Sequence, residues 1–526
     1  YNISTCTLNF NFFLLSRIVN LRVRRFFTGN QPKGELLNTK AASPSTGAEL
    51  RTDLNRVPES VRHIHLMGIC GTGMAALAGL LKEQGARVTG SDRNVYPPMS
   101  DFLEALSIPV LPGYRAENLA PPPDLVIVGN VITRDNPEAV ELARLAIPYI
   151  SMPQALRHYA IAECRSIVVA GTHGKTTTTA LASWVLEVAG LDPGFLIGGL
   201  PGNFATGFRR AKGAFFVIEG DEYDSAFFDK GPKFLHYAPW VALLTSIEFD
   251  HADIYRDLDH VLSSFRAFVA QLPPGGLLIA NADDPRVAQE ARQAPCPVVR
   301  YGLREPADWS ISGMHFQGPD THLEIHSPGG PAIPVVTPLY GRHNMSKLLA
   351  AAALSGHLGI PAERFQEALR GFSGVRRRQE VRGEAGGVLV IDDFAHHPTA
   401  VRETIGAVRE RYADRRLVAV FEPRSNSSRR SIFQSSYAEA FDLADLILIA
   451  EPPRMEGIPP EERFSSPRLV DDLRRRNLDA LFGGPSETLL EGLLERIQPG
   501  DAVLIMSNGG FGNLQDHLLK RLRERG

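Results

Sequence analysis

The feature of this sequence that most constrains its fold is a strand, a glycine turn and a helix in direct succession. Residues 166–170 form an apolar run rich in β-branched side chains, Gly171 and Gly174 bound a turn, and Lys175 and Thr176 open a helical pattern. Glycines let backbone N–H groups approach phosphate oxygens, and the N-terminus of a helix adds positive potential. This order predicts a nucleoside triphosphate site, with Lys175 on the β- and γ-phosphates and the Thr176 hydroxyl on Mg²⁺.

The turn is shorter than the usual phosphate loop. Thr172 and His173 alone lie between its two glycines, whereas the usual motif places about four residues there. A solvated turn of glycine and threonine is therefore the alternative, but the strand before it and the helix after it favour a phosphate loop. The residues that we expect to contact the nucleotide here are Gly171, Thr172, His173, Gly174, Lys175, Thr176 and Thr177.

Length and composition restrict the class of protein. A chain of 526 residues is too long for one ordinary core, and its length suggests about three domains. Apolar residues make up 44% of it and charged residues 22%, as in globular proteins, and the net charge of −3 argues against nucleic acid as the main partner. The four cysteines have no paired spacing, which argues against a disulfide scaffold or a zinc site and favours a reducing cytoplasm.

Residues 1–60 differ from the rest of the chain. The apolar stretch over residues 10–27 is interrupted by polar and arginine residues, so it is too short and too broken to span a bilayer. Its arginines follow the apolar residues, whereas a signal peptide carries its positive charge ahead of them. We expect residues 1–60 to be a disordered or artefactual extension and linker, with a basic helix on a membrane surface as the alternative.

From residue 61 the sequence predicts a strand, a glycine turn, a helix and a second strand. The turn covers residues 68–74, and an aspartate ends the second strand about twenty positions later, as in sites for the pyrophosphate of a dinucleotide or a nucleotide sugar. Because the glycine spacing differs from the dinucleotide motif, a uridine nucleotide is as plausible as a nicotinamide one, and a turn without a ligand is the alternative. A further strand, residues 124–128, ends near an asparagine. The candidate ligand-binding residues are Gly68, Gly71, Thr72, Gly73, Asp92 and Asn130.

Two more apolar strands bring carboxylates to the sheet that carries the phosphate loop. Residues 214–218 precede Glu219, our first choice as a Mg²⁺ ligand, with a solvated acidic loop as the alternative. Residues 241–247 precede a second polar group that includes His251. For His251 a metal ligand and an ordinary surface or core histidine both stay open. The other acidic residues after these strands are Asp221, Glu222, Asp224, Glu248 and Asp250.

The last part of the chain again alternates strands with helices. Each of its strands is followed by polar residues, which is typical of a further α/β unit with ligand contacts at its strand ends. These strands are residues 388–391, 417–421, 446–450 and 502–506. The arginine run 376–378 precedes them, and it is either a solvated face or a mobile clamp for phosphate.

Together these segments resemble the Mur ligase family over residues 61–526. The resemblance is carried by residues 68–74, 171–178, Glu219 with Asp221 and Glu222, Asp250 with His251, 341–344, 376–378 and 392–398. It implies an α/β protein of three domains. These are an N-terminal Rossmann-like UDP-sugar-binding domain at 61–163, a central P-loop ATPase-like ATP-binding domain at 164–375, and a C-terminal Rossmann-like peptide-binding domain at 376–526.

The resemblance also implies an ADP-forming amide ligase that uses ATP and Mg²⁺. Residues 91–100, 250–254, 422–426 and 507–511 look most like members that join UDP-N-acetylmuramate to the tripeptide L-alanyl-γ-D-glutamyl-meso-diaminopimelate through an acyl phosphate, in peptidoglycan recycling. Members that add L-alanine to the same sugar nucleotide are the alternative. The implied partners are these two small molecules, with no nucleic acid and no membrane span, and the implied protein is a cytoplasmic monomer or weak homodimer.

By the same resemblance, four residues would be catalytic. Lys175 would hold the β- and γ-phosphates, and Arg378 would balance charge on the transferred group. The implied catalytic residues are Lys175, Glu219, His251 and Arg378, and the implied metal ligands are Thr176, Glu219 and His251.

The resemblance also implies residues that bind the nucleoside part of ATP and the peptide. Asn344 and Asp393 would contact adenine and ribose. Arg424 would bind a carboxylate of the peptide, since a planar guanidinium suits bidentate contacts, and Asn426 and His396 would assist it.

Two positions depart from the family. Some members have a carbamylated lysine downstream of the Asp-His pair, but residues 263–266 contain no lysine, so we predict no carbamate. Lys347 stands where the family usually has an asparagine. Because a lysine cannot accept a hydrogen bond, adenine recognition would differ here.

Outside the ligases, the main alternative is a P-loop switch that binds a nucleotide and signals through its last domain. A dehydrogenase is a weaker alternative, because the loop at Lys175 would then have no use.

Overall fold

The computed structural model of the chain describes residues 47–95 and 99–525. The α/β class and the succession of three domains predicted from the sequence are confirmed. The part of the predicted extension at residues 1–46 lies outside the described residues.

The first domain is an open parallel sheet with strand order β3-β2-β1-β4-β5. Its strands are β1 (His63–Met67), β2 (Arg87–Asp92), β3 (Val110–Pro112), β4 (Leu125–Val128) and β5 (Tyr149–Ser151). Its helices are α1 (Thr72–Glu83), α2 (Met99–Ala105), α3 (Pro137–Leu145) and α4 (Met152–Leu156). The strand order reverses between β1 and β4, and the crevice at the carboxyl ends of such strands is where open α/β sheets bind ligands.

The central domain has a larger sheet with strand order β14-β13-β12-β6-β9-β7-β8, parallel apart from β8. The sheet strands are β6 (Arg165–Ala170), β7 (Gly194–Leu196), β8 (Phe208–Arg209), β9 (Phe215–Gly220), β12 (Val241–Leu244), β13 (Leu277–Asn281) and β14 (Val298–Tyr301). Its helices are α5 (Lys175–Val188), α6 (Leu258–Val269), α7 (Pro285–Ala291), α8 (Arg342–His357) and α9 (Ala362–Arg370). The phosphate-loop strand β6 thus lies between β9 and β12, the two strands that carry the carboxylates.

Two smaller elements of this domain had no prediction from the sequence. A short hairpin pairs β10 (Asp224–Ala226) with β11 (Asp229–Pro232). An antiparallel sheet pairs β15 (Ser310–Gln317), β16 (Asp320–His326) and β17 (Ile333–Thr337). The burial of β15 does not alternate regularly along the strand, so its periodic signal in the sequence is weak.

The C-terminal domain has strand order β18-β19-β23-β20-β21-β22, in which β18 is antiparallel to β19 and the other pairs are parallel. Its strands are β18 (Glu380–Ala385), β19 (Val388–Asp393), β20 (Arg416–Phe421), β21 (Leu446–Ala450), β22 (Ala480–Gly484) and β23 (Asp501–Met506). Its helices are α10 (Pro398–Arg411), α11 (Gln434–Ala438), α12 (Ser466–Arg475), α13 (Ser486–Arg496) and α14 (Leu514–Arg525). The central strands β19, β20, β21 and β23 are buried over nearly their whole length, as parallel strands covered on both faces are.

The predicted linker needs a correction over residues 47–60. These residues pack on the first domain: Ala48 is buried and its N–H donates to Arg134 O, and Arg51 O accepts a hydrogen bond from the Tyr149 hydroxyl. Asn55 donates to Tyr149 O at 3.0 Å and exchanges hydrogen bonds with the amide of Gln154. The polar composition that suggested a linker is used here to satisfy backbone and side-chain groups of the sheet edge.

Among the helices of the described residues, none is both long enough and apolar enough to cross a lipid bilayer.

The contacts of Asn55 predict a measurable effect on stability. Asn55→Ala leaves Tyr149 O and the Gln154 amide without their partner, which costs about 1–2 kcal/mol, and should lower the first thermal transition by roughly 2–5 °C. The measurement is differential scanning calorimetry of the whole chain. Glu59→Ala, a change at an exposed residue of the same segment, is the control and should melt like the wild type. Equal melting of the two variants would contradict the docking of this segment.

Candidate functional site

Residues of all three domains line one cleft, whose volume is 1570 Å³. The central domain contributes the phosphate loop and the residues that follow β9 and β12, because the carboxyl ends of parallel strands meet at one edge of a sheet. The predicted residues that line the cleft are Gly71, Thr72, Gly73, Asn130, Thr172, His173, Gly174, Lys175, Thr176, Thr177, Glu219, His251, Asn344, Arg378, Asp393, His396, Arg424 and Asn426. The structure therefore brings most of the predicted site residues to one space.

The phosphate loop depends on its two glycines. Gly171 has φ +133°, and a Cβ there would lie 2.2 Å from the Thr245 hydroxyl oxygen. Gly174 has φ +84° and caps α5 in a left-handed conformation, which strains residues with a side chain. The Thr245 hydroxyl donates to His173 O at 2.6 Å, so β12 fixes the shape of the loop.

Lys175 is held by the protein in this structure. Its ammonium donates to Gly171 O at 2.6 Å and to Glu222 Oε2 at 2.8 Å. Burial by itself lowers the pKa of Lys175, but the carboxylates of Glu222 and Asp221 outweigh it and raise the pKa above its usual value. Lys175 is therefore a charged ammonium beside the loop, where a phosphate oxygen would have to compete with Glu222.

Glu222 is a site residue that the sequence analysis placed in the acidic run but did not single out. Besides Lys175 it pairs with His251, whose Nε2 lies 3.3 Å from Glu222 Oε1. Burial pushes the pKa of His251 down, yet its hydrogen bond to Glu222 raises that pKa to about 9. The signal that could have found Glu222 is its position three residues after Glu219, which brings both carboxylates to the end of β9.

Thr176 and Glu219 fit the magnesium ion that a phosphate loop implies. The Thr176 hydroxyl donates to Glu219 Oε2 at 3.0 Å, and both residues are buried. Burial and the neighbouring Asp221 raise the pKa of Glu219. A divalent cation beside Glu219 would favour its ionised carboxylate. Oxygen ligands of this kind are those that Mg²⁺ prefers.

His251 is not directed at this pair in the structure. Its contacts are the ion pair with Glu222 and a tilted ring contact with Tyr223, and a protonated imidazole has no lone pair for a metal. The role of His251 as a metal ligand stays a prediction.

The predicted adenine residue Asn344 is fully hydrogen-bonded within the protein. Its Nδ2 donates to Gln379 Oε1 at 2.6 Å and to Tyr340 O at 2.9 Å, and its Oδ1 accepts from Lys347 Nζ at 2.8 Å. Lys347 therefore donates a hydrogen bond at the position where the asparagine usual in the family could accept one. Its side chain also lies next to the phosphate loop, since a Cβ at Gly174 would come within 3.1 Å of Lys347 Cε.

Asp393 shapes the loop that carries Arg378. Its Oδ2 accepts from Gln379 N and its Oδ1 from Ala395 N, both at 2.7 Å. The Arg378 guanidinium stacks 4.6 Å from the centre of the Phe394 ring and reaches the Thr176 hydroxyl at 3.3 Å. Arg378 thus lies beside Thr176 and Glu219, where a clamp for phosphate would be expected.

In the first domain the predicted residues divide into two groups. Gly71, Thr72, Gly73 and Asn130 line the cleft. Asp92 is buried and accepts hydrogen bonds from Cys70 N at 2.9 Å and Asn94 N at 3.0 Å, so it shapes the glycine turn. Gly68 has φ +81° and donates its N–H to Ser91 O at 2.8 Å. Gly68 and Asp92 are therefore placed to hold the turn rather than to face the cleft.

Arg424 lines the part of the cleft that the C-terminal domain forms, and its side chain packs against Gly509. A Cβ on Gly509 would lie 2.0 Å from Arg424 Nε, so that position accepts glycine alone without moving the arginine. Glu422 Oε1 accepts a hydrogen bond from Arg424 at 3.3 Å, while Glu422 Oε2 accepts from the Ser507 hydroxyl. The Arg424 guanidinium has further N–H donors that could bind a carboxylate in the cleft.

Asn426 connects the C-terminal domain to the central domain. Its Nδ2 donates to Asp253 Oδ2 at 2.9 Å, and its Oδ1 accepts from Arg429 at 2.7 Å. The neighbouring Ser427 hydroxyl accepts from Ala252 N at 3.3 Å. We call residues 248–253 the docking segment, because its residues contact the C-terminal domain at both of its ends.

Family models match the chain in the order of its domains. The model described as Mur ligase family, catalytic domain, matches residues 63–163. The Mur ligase middle domain matches residues 169–355, and the Mur ligase, glutamate ligase domain, matches residues 377–509.

Individual proteins are similar over nearly their whole length. The UDP-N-acetylmuramate–L-alanyl-γ-D-glutamyl-meso-2,6-diaminoheptandioate ligase of Escherichia coli (strain K12) is 41% identical over 464 residues, which cover 88% of this chain and 98% of that protein. The UDP-N-acetylmuramate–L-alanine ligase of Geobacter sp. (strain M21) is 33% identical, with coverage of 88% and 98%. The crystal structure of a murein peptide ligase from Psychrobacter arcticus 273-4 has a TM-score of 0.68 and 35% identity, and the match covers 88% of this chain and 99% of that one.

Lys347 gives a prediction for stability against pH. Burial, followed by the nearby Arg378, lowers the pKa of Lys347 to about 8, so the folded protein disfavours the charged lysine. Between pH 8 and the pKa of an unfolded lysine, the unfolded chain binds the extra proton, so this contribution to stability rises with pH. Lys347→Met removes this unfavourable charge but also the hydrogen bond to Asn344 Oδ1, and only the charge effect changes with pH. We therefore expect the melting temperature of the variant relative to the wild type to be roughly 2–4 °C higher at pH 7 than at pH 10.

Thermal melts at several pH values measure this effect. Lys520→Met, a change at a lysine whose side chain is 75% exposed, is the matched control and should show no such trend. A difference between Lys347→Met and the wild type that stays the same from pH 7 to pH 10 would contradict the lowered pKa of Lys347.

Proposed function

The chain belongs to the Mur ligase family, and on that basis we propose that it is an ATP-dependent amide ligase for UDP-N-acetylmuramate and the tripeptide L-alanyl-γ-D-glutamyl-meso-diaminopimelate. The products are the amide, ADP and inorganic phosphate. The similarity to the Escherichia coli tripeptide ligase is higher than that to the L-alanine ligase of Geobacter, at 41% against 33% identity, which favours the tripeptide as acceptor.

The observation that carries the proposal is the single cleft shared by the three domains. The glycine turn of the first domain, the phosphate loop and Arg424 all line it. A ligase needs this arrangement because an acid, a triphosphate and an amine must meet at one point.

The first chemical step is the activation of a carboxylate, which is a poor acyl donor. A lactyl carboxylate oxygen of the sugar attacks the γ-phosphorus of ATP, and the bond from that phosphorus to the β-phosphate oxygen breaks. The products of this step are an acyl phosphate and ADP. Lys175 and Arg378 neutralise the charge that spreads over the phosphoryl oxygens. A Mg²⁺ ion held by Thr176 and Glu219 would supply further positive charge on the phosphates.

The second step joins the amine to the activated carbon. The amino group of the peptide attacks the acyl carbon, a tetrahedral intermediate forms, and phosphate leaves. We propose that His396, which lines the cleft, takes the proton that the amine loses, because burial lowers its pKa and so favours the neutral imidazole. Its Nδ1 faces Phe394 O at 3.0 Å, which assigns the ring proton to Nδ1 and leaves the lone pair on Nε2.

An assay with defined substrates tests the proposal. Purified protein is incubated with ATP, Mg²⁺ and UDP-N-acetylmuramate, together with either the tripeptide or L-alanine, and the product is identified by mass spectrometry. We expect an amide product and a stoichiometric amount of ADP in the reaction with the tripeptide, and no product in the reaction with L-alanine. Product with L-alanine and none with the tripeptide would assign the chain to the other branch of the family. ADP release that is independent of both substrates would favour the nucleotide switch.

Arg424 provides a prediction about the acceptor end. Arg424→Lys keeps the positive charge but loses the planar fork, and we expect the KM for the tripeptide to rise about 10-fold while the KM for ATP is unchanged. Arg468→Lys, a change at an exposed arginine on α12, is the control and should leave both constants as in the wild type. A rise in the KM for ATP instead would show that Arg424 acts on the nucleotide.

A further inference from the structure

Two imidazoles and a carboxylate from separate segments meet beside the phosphate loop. His173 belongs to that loop, Glu248 begins the docking segment, and His397 lies at the N-terminus of α10 in the C-terminal domain. His173 Nε2 lies 2.9 Å from Glu248 Oε2, and His397 Nδ1 lies 3.3 Å from the same oxygen. All three ligand atoms lie within 4.8 Å of one another.

The hydrogen bonds of His397 fix its tautomer. Its Nε2 faces the carbonyl oxygen of Phe249 at 3.3 Å, so Nε2 carries the proton and donates it. Its Nδ1 accepts from Thr399 N at 3.3 Å, so Nδ1 carries a lone pair. That lone pair also faces Glu248 Oε2 at 3.3 Å, so a proton or a metal cation between the two atoms removes their repulsion.

A metal ion would suit this arrangement. It binds a neutral imidazole nitrogen and an ionised carboxylate oxygen, the two kinds of atom that His397 and Glu248 bring to 3.3 Å of each other.

The surroundings match those of a metal ligand. A metal-bound histidine commonly donates its other ring N–H to a backbone carbonyl, as His397 does to Phe249, and a bound carboxylate is commonly hydrogen-bonded, as Glu248 is by the Thr399 hydroxyl at 3.2 Å. A tetrahedral ion with bonds of about 2.0–2.1 Å separates its ligand atoms by roughly 3.3 Å, close to the separations found here. Nitrogen and oxygen donors of this kind suit a first-row transition metal such as Zn²⁺.

We propose that His173, Glu248 and His397 form a transition-metal site that fastens the C-terminal domain to the phosphate loop. The site is separate from the magnesium pair at Thr176 and Glu219. It uses no cysteine, so the scattered cysteines, from which we expected no zinc site, do not bear on it. The fourth position is open to water, and the bound ion would restrain the opening of the cleft from the side of the docking segment.

Zn²⁺ binding to the full chain tests the site. Isothermal titration with Zn²⁺ is carried out in excess Mg²⁺, which occupies the magnesium pair, and Co²⁺ substitution reports the geometry through its visible absorption. We expect one Zn²⁺ per chain, a tetrahedral Co²⁺ spectrum, and a melting temperature raised on the order of 5 °C by Zn²⁺.

Matched variants locate the ion. His397→Asn removes the ligand but keeps a side chain that can cap α10, and Glu248→Gln keeps the size of the carboxylate. We expect each to weaken Zn²⁺ binding by about 100-fold or more. His396→Asn and His251→Asn make the same kind of change at neighbouring histidines outside the cluster, and they should bind Zn²⁺ as the wild type does.

Three results would overturn the proposal. These are a wild-type chain that binds no Zn²⁺ in excess Mg²⁺, a Glu248→Gln chain that binds it unchanged, and a loss of binding in His251→Asn. If His397→Asn does not fold by circular dichroism, Glu248→Gln decides. Ligase activity does not enter the test, so its outcome is independent of the function proposed above.

Discussion

The charge balance around Lys175 is the interaction on which the central cleft depends. A lysine ammonium at this depth is stable only with a carboxylate partner, and Glu222 supplies it at 2.8 Å. The same carboxylate pairs with His251, which follows β12. The phosphate loop and the ends of β9 and β12 are thus held together by one acid, and an incoming triphosphate would have to replace this acid on Lys175.

Much of the fold could be predicted from the sequence because its main signals are local. Apolar runs bounded by glycine or by polar residues predicted the buried strands β1, β2, β4, β6, β9, β12, β19, β20, β21 and β23, since such strands are covered on both faces. Shorter strands such as β3, β5 and β7 had no prediction. Asn136 illustrates a cap of the same local kind, as its side chain accepts from Glu138 N at the start of α3. The antiparallel sheet over residues 310–337 was not predicted, although the burial of β16 alternates along the strand, and only β15 leaves a weak pattern.

The site was only partly predictable, because residue type does not reveal which partner a side chain has. The phosphate loop and Arg378 lie beside Glu219, so the residues of these three motifs come together, while their roles stay predictions. Asp92 and Asn344 also fit their motifs, yet both are hydrogen-bonded within the protein, to Cys70 N and to Gln379 among others. The pairing of Glu222 joins residues 47 positions apart, so it depends on the arrangement of the sheet and has no local signal.

The docking segment, residues 248–253, explains how the ends of the cleft can respond to each other. It carries His251, which pairs with Glu222 of the central domain, and its Asp253 accepts from Asn426, two residues after Arg424. If a phosphate group took Lys175 from Glu222, the balance of charge on His251 would change with it. Residues 251–253 join the Glu222 pair to the loop that carries Arg424, through the hydrogen bond from Asn426 Nδ2 to Asp253 Oδ2 at 2.9 Å. A shift of His251 would reach Arg424 by this short path of backbone and one hydrogen bond.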